Sequence, residues 1–406
     1  MELGSRSRAA LQYVLMFGGL GVSLPYAGLW MRAQGLSGAE IGVLLAAPML
    51  GRLITGPALA VWADGFRYRR TPIALLAALA GLGYGAAGLS EGFAAWAVCW
   101  FIGATGAAAI IPLTDVLTLR LARREGFSFA VPRGFGSAAF VATNIAVGFV
   151  LRATGPEAVI VGVILACLGI AVVAWRVLPA EPVHDGPPIP GWDRFRGMGR
   201  LLKDPVLVTA LVAIGAVQAA HAFYYGFSAI VWRGQGIEPH LTGLLWAFAV
   251  AAEIGFMWIV DPWRRRRGIG AWPLLALAAT AAVLRWGLMA AAPPLWILWP
   301  LQALHALSFA ASYLAGIELT ERLAPRDSQT TAQTLSSTLS AGVLIGLATL
   351  ASGPLYDAYG AGGYLAVAGL AGLGLIAVMA LKPMLVARAR FEATGPYGRP
   401  GSRRRP

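Results

Sequence analysis

The chain has 406 residues, of which 58% are hydrophobic and only 13% are charged, with a formal net charge of +13. Its mean hydropathy of +0.67 lies far above the range of soluble domains of this length. This composition excludes a soluble globular enzyme and predicts an integral membrane protein. The two cysteines, Cys99 and Cys167, fall in separate apolar segments without metal-ligand spacing, so neither a zinc site nor a disulfide framework is predicted.

Twelve apolar segments are long enough to cross a membrane. A helix needs about 20 predominantly apolar residues to span a hydrocarbon core of about 30 Å. The first segment is too long for a cleaved signal peptide and is followed at once by another span, so we interpret it as the first transmembrane helix. In chain order the predicted helices lie near 9–31, 39–63, 71–90, 93–119, 133–151, 157–178, 206–231, 241–260, 269–291, 295–318, 330–352 and 361–382.

The basic residues are concentrated in alternate connections between these segments. One set of connections carries nearly all of them, from Arg6 to the tail after Lys382, whereas the other set holds only Arg32, Arg152 and Arg233. By the positive-inside rule both termini are cytoplasmic, which agrees with an even number of helices. Because the basic residues flank membrane segments, the predicted partner is a lipid bilayer and not nucleic acid. The predicted location is the bacterial inner membrane, as a multi-pass protein.

One long hydrophilic segment divides the chain into two halves. It covers about 179–205, is rich in proline and basic residues, and is predicted to be a cytoplasmic linker. The predicted domains are therefore a six-helix bundle over 1–178 and a second six-helix bundle over 206–385. A basic cytoplasmic tail, 386–406, follows the second bundle.

The two halves repeat each other. Arg32-Ala-Gln-Gly-Leu followed by Gly42-Val-Leu-Leu-Ala matches Arg233-Gly-Gln-Gly-Ile followed by Gly243-Leu-Leu-Trp-Ala, a shift of 201 residues. Leu117-Thr-Leu-Arg-Leu-Ala matches Leu319-Thr-Glu-Arg-Leu-Ala at a shift of 202. The sequence thus predicts an all-α membrane protein of twelve helices, in two bundles related by a pseudo-two-fold axis. This pattern resembles that of major facilitator transporters, whose substrate site lies near the midplane between the halves.

Five charged or titratable residues lie inside the apolar segments: Arg52, Asp115, Glu253, Arg285 and His305. An Asp or Arg near the centre of a membrane helix costs roughly 2.5 to 3.5 kcal/mol on insertion scales, so such residues usually mark an ion or substrate path. Arg52 lies twelve residues before Asp64, about 18 Å deep in its helix. A guanidinium there suits an organic carboxylate. Pairing with Asp115 or with backbone carbonyls is the alternative.

The loop after the second helix resembles the major facilitator gating signature. It reads Asp64-Gly-Phe-Arg67-Tyr-Arg69-Arg70, and Asp261 with Arg264 to Arg267 repeats the pattern in the second half. The loop departs from the family pattern in having Ala60 and Gly65 where Gly and Arg are common. The resemblance implies that Asp64, Arg67, Arg69, Arg70 and Asp261 form gating contacts. A positive-inside cluster beside a helix-end acid is the alternative.

Within this superfamily the chain resembles lactose permease-like proton symporters, and more closely the phenylpropionate permease group. Asp115 precedes Arg133 by 18 residues, and Arg133 opens Arg-Gly-Phe-Gly-Ser, as in the lactose permease. Glu253, Arg285 and His305 follow the order of its proton-coupling residues. The phenylpropionate group is indicated by His221-Ala-Phe-Tyr-Tyr-Gly-Phe, Arg285-Trp286 and Leu304-His305-Ala-Leu-Ser-Phe, and the resemblance covers about residues 10–385.

The resemblance implies a role for each of these residues. Glu253, Arg285 and His305 are predicted to couple proton movement, with Glu253 as the first candidate for the proton site because Ser308 stands where the lactose permease has a titrating Glu. Phe140 lies where that permease has an aromatic residue that stacks on its sugar. The predicted substrate-binding residues are Arg52, Asp115, Arg133, Phe140, His221 and Tyr225.

Structural alternatives stay open for these residues. Asp115 and Arg133 could form a static pair at the cytoplasmic mouth, and Glu253 could form a structural ion pair with Arg285. His305 and His221 could simply hydrogen-bond across helices. The aromatic residues around Tyr225 could be core or interface residues.

The sequence carries no phosphate-binding Gly-Lys-Ser/Thr loop, no His/Cys cluster and no G-x-S-x-G, so neither an enzyme nor a bound cofactor is predicted and transport energy should come from an ion gradient. We expect a proton-coupled symporter, functional as a monomer, for a small organic substrate such as an aromatic or other carboxylic acid. The alternatives are a sugar or nucleoside symporter, a drug or metabolite exporter, and a transporter-like receptor without flux.

Overall fold

The computed structural model describes residues 4–183, 198–325 and 328–394. Most of the predicted linker, 184–197, and the end of the predicted tail, 395–406, lie outside the described residues. The described chain is helical, apart from turns, short connections and an isolated β-bridge between Tyr68 and Pro182.

Within the described residues, six long helices form each half of the molecule, in agreement with the predicted fold class. In the first half they are α1 (Ser5–Ala33), α2 (Gly38–Asp64), α3 (Arg70–Leu89), α4 (Phe93–Glu125), α5 (Ala130–Thr154) and α6 (Glu157–Arg176). In the second half, after a one-turn helix at Met198–Leu201, they are α7 (Pro205–Gly234), α8 (Pro239–Arg266), α9 (Ala271–Ala290), α10 (Leu295–Leu323), α11 (329–359) and α12 (Tyr364–Thr394).

The described residues contain eleven continuous helical runs that are long and apolar enough to span a membrane, and the last run holds two helices. That run, Thr331–Phe391, has 61 residues. A straight helix of this length would measure about 90 Å, roughly three times the thickness of a bilayer core. It is interrupted by a single 3₁₀ turn at Gly360–Gly363, which Gly360 opens with a φ of +54°. Glycine adopts this conformation without the steric cost that other residues meet.

Five helices, α4, α8, α10, α11 and α12, extend at least five residues past the carboxyl ends that the sequence predicted. α4 runs to Glu125 and not to about 119, and α12 runs to Thr394 and not to about 382. The extra turns of α4 carry basic residues such as Arg123 and Arg124, which are favourable in the last turn because the helix dipole is negative there. A hydropathy criterion ends the helix at the first charges, whereas the backbone hydrogen bonds continue past them.

The halves pack on each other through α2 with α11, α5 with α8, and α1 with α7. Glycine lines these contacts, because small residues let membrane helices approach closely. Gly28 of α1 lies against the carbonyl of Gly226 of α7, and Gly42 of α2 lies against Gly353 of α11. Large apolar side chains such as Leu82 and Trp258 are exposed on the outside of the bundles, where lipid would cover them.

Helical irregularities are concentrated in the second half. Five-residue-spaced (π-type) turns occupy Phe256–Val260, Ala306–Ala311 and Thr338–Leu344, and α7 is interrupted between Ala219 and Ala222. Such turns are rare and often occur at functional sites. Inside a membrane, irregular backbone is tolerated only where protein or a cavity surrounds it. These four interruptions therefore mark the region of the second bundle in which a site is expected.

Candidate functional site

Arg285 of α9 lies fully buried at the centre of a polar network in the second half. One terminal nitrogen lies 2.6 Å from Nδ1 of His305 and 3.3 Å from Oγ of Ser308. The other donates to Oε1 of Gln302 at 2.9 Å. All three partners belong to α10, where Gln302 and Ser308 lie one turn before and after His305. The guanidinium therefore joins two helices of the bundle.

His305 connects this guanidinium to Glu253 of α8. Its Nε2 lies 2.9 Å from Oε1 of Glu253. An arginine can only donate hydrogen bonds, so Nδ1 of His305 must accept and the ring proton must reside on Nε2. The imidazole is thereby held neutral and donates to Glu253. Oε2 of Glu253 has no hydrogen-bond partner among the described residues, and the side chain is 14% exposed.

His221 forms the other end of the network. Its Nδ1 lies 3.2 Å and 3.1 Å from the carbonyl oxygens of Val217 and Gln218, and its Nε2 lies 3.1 Å from Oγ of Ser308. Carbonyl oxygens only accept, so Nδ1 donates. A second proton on Nε2 would put a positive charge on a fully buried ring near Arg285, so Nε2 accepts from the serine hydroxyl. His221 is therefore also neutral, and the break in α7 supplies two of its partners, because residues 217 and 218 precede the interruption.

Aromatic side chains enclose the network. The guanidinium carbon of Arg285 lies 4.8 Å from the ring centre of Tyr224 and 4.3 Å from that of Trp286, distances typical of cation–π contacts. The ring of Tyr225 lies 5.9 Å from that of His221 and 6.5 Å from that of His305. Unlike Tyr224, Tyr225 is only partly buried.

The structure thus brings five of the predicted residues into one cluster. These are Glu253, Arg285, His305, His221 and Tyr225.

The predicted acid and base of the first half also meet. A terminal nitrogen of Arg133 lies 3.4 Å from Oδ1 of Asp115, and the same oxygen accepts a hydrogen bond of 2.5 Å from the hydroxyl of Tyr13. The guanidinium lies 4.7 Å from the ring centre of Phe17. Both charged side chains are about one-third exposed. Phe140, about two helical turns after Arg133 on α5, is only partly buried and packs on the core.

Arg52 stands apart from both clusters. It lines a cavity of about 510 Å³ between α2 and α4, which Asp64, Arg69 and Arg120 line as well. Arg52 is exposed and has no hydrogen-bond or ion-pair partner among the residues that the structure describes. The alternative expectation that it pairs with Asp115 is not met, because the described partners of Asp115 are Tyr13 and Arg133.

The predicted gating residues lie at the ends of α2 and α8. The loop after α2 is attached to the segment after α6: the Arg69 side chain donates to the carbonyl of Val183, and Arg70 donates to that of Leu178 at 3.0 Å. Arg67 lies over the ring of Tyr68. In the second half Asp261 accepts from Arg264 at 2.7 Å and from Arg265 at 2.8 Å.

Sequence reasoning missed Tyr13 and Gln302, and it gave Ser308 no role in the network. Gln302 accepts from both Arg285 and the hydroxyl of Tyr224. Each of the three is a polar residue inside an apolar segment, and this signal could have found them. The sequence also left open a direct Glu253–Arg285 pair, but the structure places the neutral ring of His305 between the two charges.

Comparison with known proteins gives relatives that are named as transporters. A probable 3-phenylpropionic acid transporter of Escherichia coli (strain K12) is 27% identical over 394 residues, which cover 95% of this chain and 99% of that protein. A maltose permease of Geobacillus stearothermophilus is 29% identical over 358 residues, 86% of each chain.

Among solved structures, the nucleoside transporter NupG superposes with a TM-score of 0.76 at 16% identity, over 94% of this chain and 99% of that one. The peptide transporter POT in complex with sulfate superposes with a TM-score of 0.68 at 14% identity, over 95% of this chain and 94% of that one. At these identities the superpositions establish the fold alone.

The model of the MFS_1 like family matches residues 7–365, which is most of the chain. The relatives are transporters and not enzymes, as the sequence predicted. The described residues form twelve apolar helices in two repeated bundles, with a polar network inside each. The chain therefore belongs to the MFS_1 like family and is a multi-pass membrane transporter of the major facilitator type.

Proposed function

We propose that this transporter is a proton-coupled symporter of a small organic acid, with Glu253 as the proton site and Arg285 and His305 as its coupling partners. The observation that supports the proposal is a chain of two hydrogen bonds through His305. Its Nδ1 lies 2.6 Å from a terminal nitrogen of Arg285, and its Nε2 lies 2.9 Å from Oε1 of Glu253. Nδ1 of His305 accepts from an arginine that stays charged, so the histidine resists a second proton. Glu253, with an unpaired oxygen and partial exposure, is the group that can take one.

Protonation of Glu253 changes the charge of a buried cluster. When Glu253 is ionised, its charge balances that of Arg285 and the cluster is neutral, because both histidines carry a single proton. When Glu253 is protonated, the cluster has one uncompensated positive charge in a medium of low dielectric constant. An anion that binds within reach of this field relieves that cost. Proton binding and anion binding therefore favour each other, which is the thermodynamic requirement for symport.

The remaining predicted residues have proposed roles around this cluster. Asp115, Arg133, Phe140, His221 and Tyr225, together with Arg52, are proposed to contact the substrate. The exposed rim of Tyr225, next to both histidines, supports an aromatic or other apolar substrate body. Asp64, Arg67, Arg69, Arg70 and Asp261 are proposed to control the cytoplasmic opening.

The two halves are joined by polar contacts at one end, which we call the closed end. Asp357 of α11 accepts from the backbone N–H groups of Gly38 and Ala39 at the start of α2, at 2.7 Å and 2.8 Å. Arg152 of α5 lies 3.1 Å from Glu238, the residue immediately before α8. If both termini are cytoplasmic in the bacterial inner membrane, as we propose, the closed end is periplasmic and the structure is an inward-facing state.

Replacing Glu253 with glutamine tests the coupling. Glutamine keeps the acceptor oxygen for His305 but takes no proton, so E253Q is expected to lose uphill uptake into proteoliposomes with an imposed proton gradient. Counterflow exchange at equal pH should persist, because it does not require net proton movement. E91Q, which neutralises an exposed carboxylate in the connection between α3 and α4, serves as the matched control and should behave as the parent protein. Uphill accumulation by E253Q at the parent's rate would rule out Glu253 as the proton site.

The 29% identity to a maltose permease supports one second candidate, a sugar symporter with the same proton site. A sugar carries no charge, so its binding would not relieve the charge of Arg285 when Glu253 is protonated. Competition distinguishes the two: unlabelled aromatic acids displace the labelled substrate in the first case, and neutral sugars do so in the second. The same proteoliposomes test the exporter and receptor functions. An exporter would move the substrate in the opposite direction, and a receptor would bind it without any flux.

A further inference from the structure

We infer that the cavity between α2 and α4 is the site that binds the carboxylate group of the transported acid, with Arg52 as the residue that contacts it. The inference rests on the proposed transport of an organic acid and names the place and the residue that confer selectivity for an anion. The cavity has a volume of about 510 Å³, which lies within the usual range for sites that hold small organic ligands.

Arg52 offers an anion an unoccupied guanidinium at mid-membrane depth. It lies about 18 Å from the carboxyl end of α2 and is exposed to the cavity, so an anion that enters the cavity can reach it. Among the described residues it has neither a carboxylate nor a carbonyl partner. A guanidinium presents two parallel N–H donors that match the two oxygens of a carboxylate. Oγ1 of Thr105, on the opposite wall, is buried without a hydrogen-bond partner and adds a further donor.

The walls of the cavity fit an apolar body attached to one charged group. Pro48 and Leu59 of α2 face Ala108, Ala109 and Pro112 of α4. These alanine and proline side chains give the cavity an apolar surface around Arg52, Thr55 and Thr105. The other charged groups of the lining, Asp64, Arg69 and Arg120, lie toward the carboxyl ends of α2 and α4. A monocarboxylate with an aromatic or branched aliphatic body matches this lining.

The internal repeat explains why Arg52 lacks a partner. The shift of 201 residues that pairs Gly42 with Gly243 also pairs Arg52 with Glu253, so the two residues occupy equivalent positions of α2 and α8. The first half carries a cation where the second half carries the acid of its network.

The partners of Glu253 have no counterparts in the first half. The same shift pairs Arg285 with Tyr84 and, at 202, pairs His305 with Gly103. The Tyr84 ring packs against Gly103, so a tyrosine and a glycine stand at the positions that carry the Arg285–His305 pair in the second half. Glu253 thus finds its partners within its own bundle, whereas Arg52 must find an anion elsewhere.

Equilibrium binding without any gradient tests this site. The full chain is placed in phosphatidylcholine nanodiscs, and binding of 3-phenylpropionate is measured by titration calorimetry beside its neutral isostere 3-phenylpropanamide. R52Q is expected to weaken binding of the acid by roughly ten- to a hundredfold, the usual effect of removing a hydrogen bond to a charged group. The weaker binding of the amide should stay the same, so the preference for acid over amide disappears.

Controls separate this result from a loss of folding. R266Q removes an arginine at the exposed carboxyl end of α8, outside the cavity, and should bind the acid as the parent does. V116E supplies an acid in the cavity wall and should also weaken acid binding although Arg52 is intact, whereas V116Q should not. Equal acid-over-amide preference in R52Q and the parent would overturn the inference. Absence of acid binding, together with saturable binding of anionic phosphatidylglycerol added to the nanodiscs, would overturn it as well and assign the cavity to lipid.

The result of the binding experiment with R52Q does not depend on proton coupling. If R52Q loses acid selectivity but uptake by the parent needs no proton gradient, the carboxylate site stands and the symport proposal fails. If E253Q behaves as predicted but R52Q binds the acid normally, the symport proposal stands and this site fails.

Discussion

At the scale of single residues, the second-half network is a set of donors and acceptors around one arginine, and it ends at Glu253. Gln302 is the member that sequence analysis did not find, and it accepts from two buried donors at once, Arg285 at 2.9 Å and Tyr224 at 3.0 Å. Both of these donors lie in fully buried side chains. A buried donor that loses its acceptor keeps the full cost of its desolvation.

Replacing Gln302 with leucine is therefore expected to destabilise the protein and not merely to remove one contact. Two donors lose their acceptor, and each costs about 1 to 3 kcal/mol. We expect Q302L to lower the thermal unfolding midpoint in detergent by several degrees and to reduce uptake, because Arg285 is no longer held beside His305. Q218L, which removes a glutamine that donates to Ser312 outside the direct partners of Arg285, is the control. An unchanged midpoint in Q302L would show that Arg285 and Tyr224 find other acceptors.

At the scale of helices, the sequence predicted the number and order of elements because hydropathy reports the thickness of the membrane. It also found Glu253, Arg285 and His305, because a charge in an apolar segment is conspicuous. It could not predict the π-type turns after Glu253 and His305 or the break at Ala220 and His221, since these depend on how neighbouring helices satisfy the freed backbone groups. The donor and acceptor roles of each histidine likewise exist only in the folded bundle.

The contact between α11 and the start of α2 is an element-scale feature that sequence did not reveal. Asp357 accepts from two N–H groups of the first turn of α2, which belongs to the other half. A carboxylate at a helix N-terminus is favourable both as a hydrogen-bond acceptor and through the helix dipole. The first turn of α2 therefore has two caps, Ser37 from its own half and Asp357 from the opposite half.

Only the second of these caps depends on the closed end being closed. D357N keeps the size of the side chain but loses its charge, so we expect the closed end to open several-fold more often. The readout is the rate at which maleimide modifies a cysteine introduced at Ile230 of α7, which is buried against Gly28 of α1, in a background without Cys99 and Cys167. S37A removes the cap that lies within one half and should leave this rate nearly unchanged. An equal increase in both variants would mean that fraying of α2, and not opening between the halves, exposes the cysteine.

At the scale of the whole molecule, transport requires the two bundles to separate at the closed end and meet at the other end. The closed end depends on direct backbone contact: Gly353 of α11 lies against Gly38 and Ala39 of α2, and Gly42 lies against Gly353 in turn. A side chain at Gly353 has no space here, because the nearest atoms are backbone and cannot move aside.

A large residue at this position should hold the closed end apart. G353W is expected to abolish net uptake, because a transporter that cannot close at one end cannot complete the cycle. It should at the same time raise maleimide modification of the cysteine at position 230 to the level of a permanently open end. Substrate binding from the predicted periplasmic side should survive, since the polar networks of both bundles lie away from Gly353. G369W, which places the same side chain on α12 where no atom lies within 4 Å, is the matched control and should transport normally. Normal uptake by G353W would show that these glycines do not limit closure, and loss of uptake without increased modification would point to misfolding instead of a trapped state.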